Sequence, residues 1–255
     1  MSVSHAALRI RFQVRIRWPT TRMTKAPAHQ SRGLLLCSTP CAALGIAIGG
    51  TGVGKKDSAR RSRGYWDNEA STFDEEPDHG LRDPLIRQAW ADQFDSLLPS
   101  PPAEVLDIGC GTGSLSVLLS SMGYTVTAID SSPAMVALAR QKAKSASSLV
   151  AIHVMDACRP RLGPRQFDVI VCRHLLWALP EPPKVVKRWV EMLAPGGRLI
   201  LIEGHWGTGV GMHAGEVTGA LPPSLTDVTV RGLSDRAELW GGRTSDERYV
   251  VVASR

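Results

Sequence analysis

Short apolar runs alternate with helical segments through the middle of the chain. Residues 105–108 form an apolar run suited to a central parallel strand, and residues 114–122 follow with a helical pattern. Residues 125–129 alternate as a second strand, after which Ser132 and Pro133 have the residue types of a helix cap and a first turn. This alternation predicts an α/β fold with a doubly wound, mostly parallel sheet.

Further strands follow with similar spacing toward the C-terminus. They are expected in residues 149–156, residues 167–174 with a continuation over residues 175–179, residues 199–203 after a Pro-Gly-Gly turn, residues 228–230 and residues 248–252. The last two lie toward the end of the chain. One short helix fits before them, roughly over residues 212–220.

A glycine-rich turn with a preceding acid follows the first strand. Gly109, Gly111 and Gly113 lack β-carbons where the chain has to bend and approach a ligand, and Asp107 stands two residues before the first of them. A dinucleotide fingerprint would need its third glycine at Ser114, and Asp107 would put a carboxylate near a pyrophosphate, so NAD is disfavoured. An acid at this position suits a ligand that carries an ammonium group.

The segment from residue 105 to residue 143 resembles class I S-adenosylmethionine-dependent methyltransferases. The resemblance continues in order at four further places and covers residues 65–255. Residues 173–177 are similar to the cofactor-facing loop of small-molecule members of this family, including those of quinone biosynthesis. The resemblance implies a seven-stranded, mostly parallel sheet that a C-terminal antiparallel hairpin closes.

The resemblance also implies S-adenosylmethionine as the cofactor and assigns residues to it. Asp130 at the end of the second strand would hold both ribose hydroxyls, because a carboxylate accepts hydrogen bonds and a vicinal diol offers two donors. The third strand would contact the adenine, and the end of the fourth strand would lie beside the sulfonium. The implied cofactor-binding residues are Asp107, Gly109, Gly111, Gly113, Asp130, Ser131, Asp156, Ala157 and Arg173.

The sequence says less about the residues that bind the methyl acceptor than about those that bind the cofactor. The family builds its acceptor pocket from segments that correspond here to residues 65–83, 173–183 and 204–216. The first of these is either a helical lid over the cofactor or an amphipathic helix that packs on the domain. His174 or His79 would act as a base toward a hydroxyl or an activated carbon, whereas an amine needs none. No catalytic residue is assigned.

Charge is divided unequally along the chain. The net charge is +6, but residues 1–64 contain twelve Lys and Arg residues and one acid, while the remainder has 18 basic and 23 acidic residues. An acidic domain argues against a nucleic-acid substrate and favours a small-molecule acceptor. One alternative is an RNA methyltransferase whose basic leader binds RNA in a salt-sensitive way. Another is a regulator that binds the cofactor without turnover.

Residues 1–64 are expected to form a basic, disordered leader before a domain over residues 65–255. An Arg-rich start with few acids fits an organellar targeting peptide or an upstream reading frame included by a wrong start codon, and we favour the second. Residues 49–55 imitate a phosphate-binding loop, but Lys56 stands where magnesium would need Ser or Thr. Residues 33–54 carry no charge but are a poor candidate for a membrane span, because they contain six glycines and a proline.

Five cysteines are present, an odd number without a zinc-ligand pattern. Cys110, Cys158 and Cys172 lie in or next to the predicted sheet, where reduced thiols pack as small hydrophobes. The sequence therefore predicts no metal site and a reducing, cytoplasmic location.

Overall fold

The structure is a computed structural model that describes residues 63–255. The predicted disordered leader and the imitation of a phosphate-binding loop lie outside the described residues, except for the last two leader positions. Those two already belong to a helix, α1, which covers residues 63–69.

The strands form one mixed sheet. In chain order they are β1 (Glu104–Ile108), β2 (Thr125–Asp130), β3 (Ala151–Val154), β4 (Phe167–Arg173), β5 (Leu193–His205), β6 (Thr226–Gly232) and β7 (Glu247–Ser254). Their order in the sheet is β3-β2-β1-β4-β5-β7-β6. The first five pair in parallel, and β7 is antiparallel to both β5 and β6. The predicted seven-stranded, doubly wound sheet with a C-terminal antiparallel hairpin is confirmed.

Helices cover both faces of this sheet. After α1 they are α2 (Pro77–Gly80), α3 (Pro84–Asp95), α4 (Ser114–Ser121), α5 (Pro133–Ser145), α6 (Pro182–Glu191), α7 (Ala214–Gly219) and α8 (Ala237–Trp240). As predicted, Ser132 caps α5 by accepting a hydrogen bond of 3.1 Å from Met135 N, and Pro133 lies in the first turn.

The predicted continuation of the fourth strand over residues 175–179 is wrong. β4 ends at Arg173, and a 3-10 turn covers Leu176–Ala178. The chain leaves the sheet because Glu203 Oε1 accepts hydrogen bonds from the main-chain N–H groups of Leu175 (3.0 Å) and Leu176 (2.7 Å). These donors therefore point at a side chain rather than at a neighbouring strand.

The core lies on both faces of the central strands. On one face, Trp90 of α3 is fully buried and donates its indole N–H to Leu239 O at 2.8 Å. On the other, Trp189 of α6 is fully buried and donates to Ala157 O at 2.8 Å. These packed faces fix the carboxyl ends of β1, β2, β3 and β4 at one edge of the sheet. Within residues 63–255, no helix has both the length and the hydropathy of a membrane span.

Candidate functional site

Asp130 connects the glycine turn to the end of β2. Its Oδ2 accepts a hydrogen bond from Gly111 N at 2.9 Å, and its Oδ1 accepts one from Ser132 N at 2.8 Å. Each carboxylate oxygen can accept more than one hydrogen bond, so both retain capacity for further donors. Burial raises the pKa of Asp130, and the main-chain N–H groups that donate to it act in the opposite direction.

Asp107 lies beside it in β1, which pairs in parallel with β2. The side chain is buried, and Ser116 Oγ donates a hydrogen bond of 2.5 Å to its Oδ2. Burial raises the pKa of Asp107 to about 6, an effect opposed by the Ser116 hydrogen bond and the charge of Arg173. The charge of Asp130 raises it further, so the two carboxylates are close enough to interact electrostatically.

The glycine turn is held against β2 by its own main chain. The N–H groups of Gly109 and Cys110 donate to Ile129 O at 2.8 and 3.0 Å. At Gly111, φ is +53°, and an added β-carbon would lie 3.1 Å from the ring of Phe73. The turn therefore presents bare backbone to the N-terminal segment.

That segment, residues 63–83, is called the lid here because it packs over the glycine turn. Asp67 Oδ1 accepts hydrogen bonds from Ser132 Oγ (2.5 Å) and Ala134 N (3.1 Å) at the start of α5. Asp74 accepts a hydrogen bond of 2.5 Å from Thr112 Oγ1 and pairs with Lys142 Nζ at 2.8 Å. The lid is thus fixed to the same elements that carry the predicted cofactor residues.

The residues expected at the adenine lie on the same edge. Met155 N donates to Asp130 O at 2.8 Å, which places Asp156 just beyond the end of β3 and beside the end of β2. Asp156 is exposed and accepts a hydrogen bond of 2.8 Å from Cys158 N. Ala157 is buried. Ser131 stands between Asp130 and the α5 cap.

Arg173 is the last residue of β4, and its guanidinium joins the strand to the lid. Its Nη1 donates a hydrogen bond of 2.6 Å to Asp78 O, and its Cζ lies 5.0 Å from the ring centroid of Trp90. Burial lowers the pKa of Arg173, whereas the charges of Asp78 and Asp107 raise it. The guanidinium contacts the main-chain oxygen of Asp78 and leaves its carboxylate free of this hydrogen bond.

Two histidines meet next to Asp78. Its Oδ2 lies 3.9 Å from His79 Nε2 and 3.9 Å from His174 Nδ1, and the two imidazole centroids are 6.2 Å apart. Burial lowers the pKa of His174 well below its usual value, and the charge of Arg173 adds to this. Burial also lowers the pKa of His79. Both imidazoles are therefore neutral near pH 7.

Aromatic side chains enclose this cluster. His79 stacks on Phe73 at 4.3 Å, while His174 lies 5.4 Å from Trp206 and 6.0 Å from Trp240 between ring centroids. The two tryptophans come from the loop after β5 and from α8. Trp206 lies in residues 204–216, one of the segments expected to build the acceptor pocket, whereas Trp240 was not expected there because it is distant in the chain and lies in no local motif.

Arg248 was also missed. Its Cζ lies 5.1 Å from the ring centroid of Trp206 and 5.0 Å from that of Trp240, so the guanidinium holds these two rings together. Leu175 was missed as a neighbour of the glycine turn, since an added β-carbon at Gly109 would meet its Cδ2 at 2.5 Å. Neither the contacts of Arg248 with the two tryptophans nor the contact of Leu175 with the glycine turn can be predicted from a local sequence motif.

The nine predicted cofactor residues therefore lie along one edge of β1 to β4, while their individual contacts with a ligand stay predictions. Comparison with known proteins agrees with this arrangement: residues 106–201 match the family described as a methyltransferase domain. Residues 106–201 therefore resemble a methyltransferase domain.

Curated relatives of this methyltransferase domain include two ubiquinone biosynthesis O-methyltransferases. The protein from Xylella fastidiosa (strain 9a5c) is 33% identical over 142 residues, which cover 54% of this chain and 53% of that protein. The protein from Pseudomonas entomophila (strain L48) is 33% identical over 136 residues, covering 53% of this chain and 55% of that protein. The chain thus spans about half the length of these relatives.

Solved structures share the fold of the methyltransferase domain at low sequence identity. An N-methyltransferase from Bradyrhizobium japonicum WM9, in complex with S-adenosyl-L-homocysteine, is 22% identical with a TM-score of 0.58, covering 74% of this chain and 98% of that one. Geranyl diphosphate C-methyltransferase from Streptomyces coelicolor A3(2) is 15% identical with a TM-score of 0.61, covering 80% of this chain and all of that one.

Proposed function

We propose that this protein transfers the methyl group of S-adenosylmethionine to a small-molecule acceptor by in-line displacement. The observation that carries the proposal is the environment of Asp130. Each of its oxygens accepts one main-chain N–H, from Gly111 and from Ser132, and retains lone-pair capacity. A pair of ribose hydroxyls would supply the two further donors that this arrangement can accept.

The other residues at the edge of the sheet fit the rest of this cofactor. Asp107 would take the ammonium group, and a positive charge there would oppose the burial that raises its pKa to about 6. Asp156 is an exposed carboxylate beside the end of β2 and can accept from an exocyclic amine. A related fold was crystallised with S-adenosyl-L-homocysteine, which supports the same class of cofactor.

A small-molecule acceptor is supported by the names of the relatives and by charge. The relatives are named as ubiquinone biosynthesis enzymes, and residues 65–255 have an excess of acidic side chains, which disfavours a nucleic-acid acceptor. The three described cysteines are free, consistent with a reducing compartment, and we assign the protein to the cytoplasm.

Bound S-adenosylmethionine supplies a methyl group on a positively charged sulfur, so the chain has chiefly to position the acceptor and exclude water. Phe73 covers the glycine turn, and Trp206 and Trp240 surround His174 at the end of β4. These aromatic groups would keep water from the reacting atoms. The neutral imidazoles of His79 and His174 would face the acceptor side.

Calorimetry with S-adenosyl-L-homocysteine tests the cofactor assignment on the full chain. Asp130→Ala should weaken binding at least about 100-fold, because two hydrogen bonds to a charged group contribute roughly 1.5–3 kcal/mol each. Asp168→Asn is the matched control: this carboxylate accepts a hydrogen bond from Glu104 N at the opposite end of the sheet. Equal affinity of the Asp130 variant and the unmodified protein would contradict the assignment.

The acceptor class needs a transfer experiment. The full chain is incubated with methyl-labelled cofactor and a metabolite extract, and the same experiment is run with total RNA. Label in a low-molecular-weight compound supports the proposal. Label in RNA would support the alternative of an RNA methyltransferase whose basic leader binds RNA. Cofactor binding without labelling of either pool would indicate a regulator.

A further inference from the structure

We propose that Asp78, His79 and His174 form a binding site for a divalent transition-metal ion of the zinc class. One ligand atom from each of the three residues lies within 4.8 Å of the other two. Imidazole nitrogen and carboxylate oxygen are ligands that zinc commonly takes in proteins. No other cluster of at least three such residues meets this distance in residues 63–255.

The spacing leaves room for an ion between the three side chains. The two distances of 3.9 Å from Asp78 Oδ2 to the histidine nitrogens are too long for hydrogen bonds. Two ligands of one tetrahedral zinc ion lie about 3.3 Å apart, given bonds of about 2.0–2.1 Å. A small inward movement of rotatable side chains would therefore bring all three into coordination.

Each imidazole has one nitrogen toward Asp78 and one on the other side of the ring. His79 Nδ1 and His174 Nε2 are buried and have no hydrogen-bond partner among the described residues. They are not the nitrogens that face Asp78, which are His79 Nε2 and His174 Nδ1, so coordination through the latter pair would leave the buried atoms as the protonated N–H groups of the two rings.

The main chain holds His174 in a conformation that directs its ring into the cluster. Its φ is +57°, in the left-handed region that non-glycine residues rarely adopt. His174 N donates to Ile202 O at 2.9 Å, and Trp206 and Trp240 pack against the ring. Strain that the surroundings maintain in this way is typical of a functional position.

Asp78 is free to act as the charged ligand. Arg173 binds its main-chain oxygen rather than its carboxylate, and the side chain is only 13% exposed. Three protein ligands leave one position of a tetrahedral zinc ion open. An oxygen of the methyl acceptor would occupy that open position. This role of the metal rests on the proposed function, whereas the binding of the metal itself does not.

Cobalt(II) and zinc binding to the full chain test the site. The purified protein, stripped with a chelator, should take up Co²⁺ with the visible absorption of a tetrahedral nitrogen and oxygen site, and Zn²⁺ should displace it. His174→Asn, His79→Asn and Asp78→Asn should each weaken binding about 100-fold, because each removes one coordinate bond. Asparagine at residue 174 also tolerates the left-handed conformation, so this variant should fold.

His213→Asn is the matched control, since His213 pairs with Glu247 in a separate, exposed histidine–carboxylate group. It should leave the absorption unchanged. Absence of the cobalt spectrum, or metal binding that persists in all three site variants, would overturn the proposal. Calorimetry with S-adenosyl-L-homocysteine on the same preparations separates the two proposals: cofactor binding without metal overturns only the metal site, and metal binding without cofactor overturns only the methyltransferase function.

Discussion

Gly113 is required by the packing of helices as well as by the turn. Its φ is +78°, and an added β-carbon would lie 2.8 Å from Ala139 Cβ in α5. Such a distance is shorter than van der Waals contact, and the neighbouring atom belongs to a helix with little freedom to move. The third glycine of the motif therefore lets α5 approach the start of α4.

Gly113→Ala should destabilise the protein more than Gly163→Ala. Gly163 has a similar φ of +68° with no atom within 4 Å of an added β-carbon, so it isolates backbone strain. We expect a loss of about 1–2 kcal/mol for Gly163→Ala and about 1–3 kcal/mol more for Gly113→Ala, because overpacking adds to the strain. Urea unfolding of both variants measures the difference. Equal losses of unfolding free energy would show that α5 moves away from the added methyl group without destabilising the protein.

The lid is connected to the glycine turn, α4 and α5 by one polar network. Lys142 Nζ of α5 pairs with Asp74 and also donates to Thr112 Oγ1 (3.0 Å) and Ser114 Oγ (2.5 Å). Burial lowers the pKa of Lys142, and its hydrogen bond to Asp74 opposes that change. A single lysine thus joins three elements around the predicted cofactor site, which makes the lid part of that site.

A double-mutant cycle of Asp74→Asn and Lys142→Met should give a coupling energy of about 1–2 kcal/mol. The side chains are only 16% and 25% exposed, so their attraction is weakly screened. The pair of Arg165 and Glu104 has the similar distance of 2.9 Å but exposures of 46% and 41%, and should couple by less than about 1 kcal/mol. Thermal unfolding of both sets provides the values. Equal coupling would mean that the lid pair is as solvated as the surface pair.

The stability of the whole domain should depend on pH through Glu203. This side chain is fully buried, and burial raises its pKa from 4.5 to about 8. Oε1 accepts from Leu175 N and Leu176 N, while Oε2 has no partner among the described residues. The folded state therefore binds a proton that the unfolded state releases near pH 4.5, so stability from this group falls as pH rises toward 8.

Glu203→Gln should remove this loss while retaining the oxygen that accepts both hydrogen bonds. Between pH 6.5 and pH 8, the unmodified protein should lose about 1.4 kcal/mol per pH unit relative to the variant, and the difference should level off above pH 8. This window lies above the pKa of about 6 of Asp107. Chemical denaturation at several pH values gives the comparison, and parallel curves for the two proteins would contradict the raised pKa.

The sheet could be predicted almost completely because its signals are local. Strand and helix periods repeat over a few residues, and Asp107, the glycine turn and Asp130 fall within one strand-turn-helix-strand unit. Parallel pairing then brings the carboxyl ends of these strands to the same edge of the sheet, independently of how the rest of the chain folds. The end of β4 was one exception, because its path depends on Glu203, a carboxylate from the next strand. The start of β5 was another, because the strand begins at Leu193 and includes the expected Pro-Gly-Gly turn.

The amino-acid order alone established the α/β sheet, the acid-glycine turn and the edge that carries the expected cofactor residues, since each arises from neighbours along the chain. Folding in three dimensions brought together Asp78, His79 and His174 between Phe73, Trp206 and Trp240. Phe73, Asp78 and His79 are close in sequence, but His174, Trp206 and Trp240 lie tens of residues from them and from one another. Their meeting depends on the lid, the turn after β4 and α8 packing at one place, which no local period encodes.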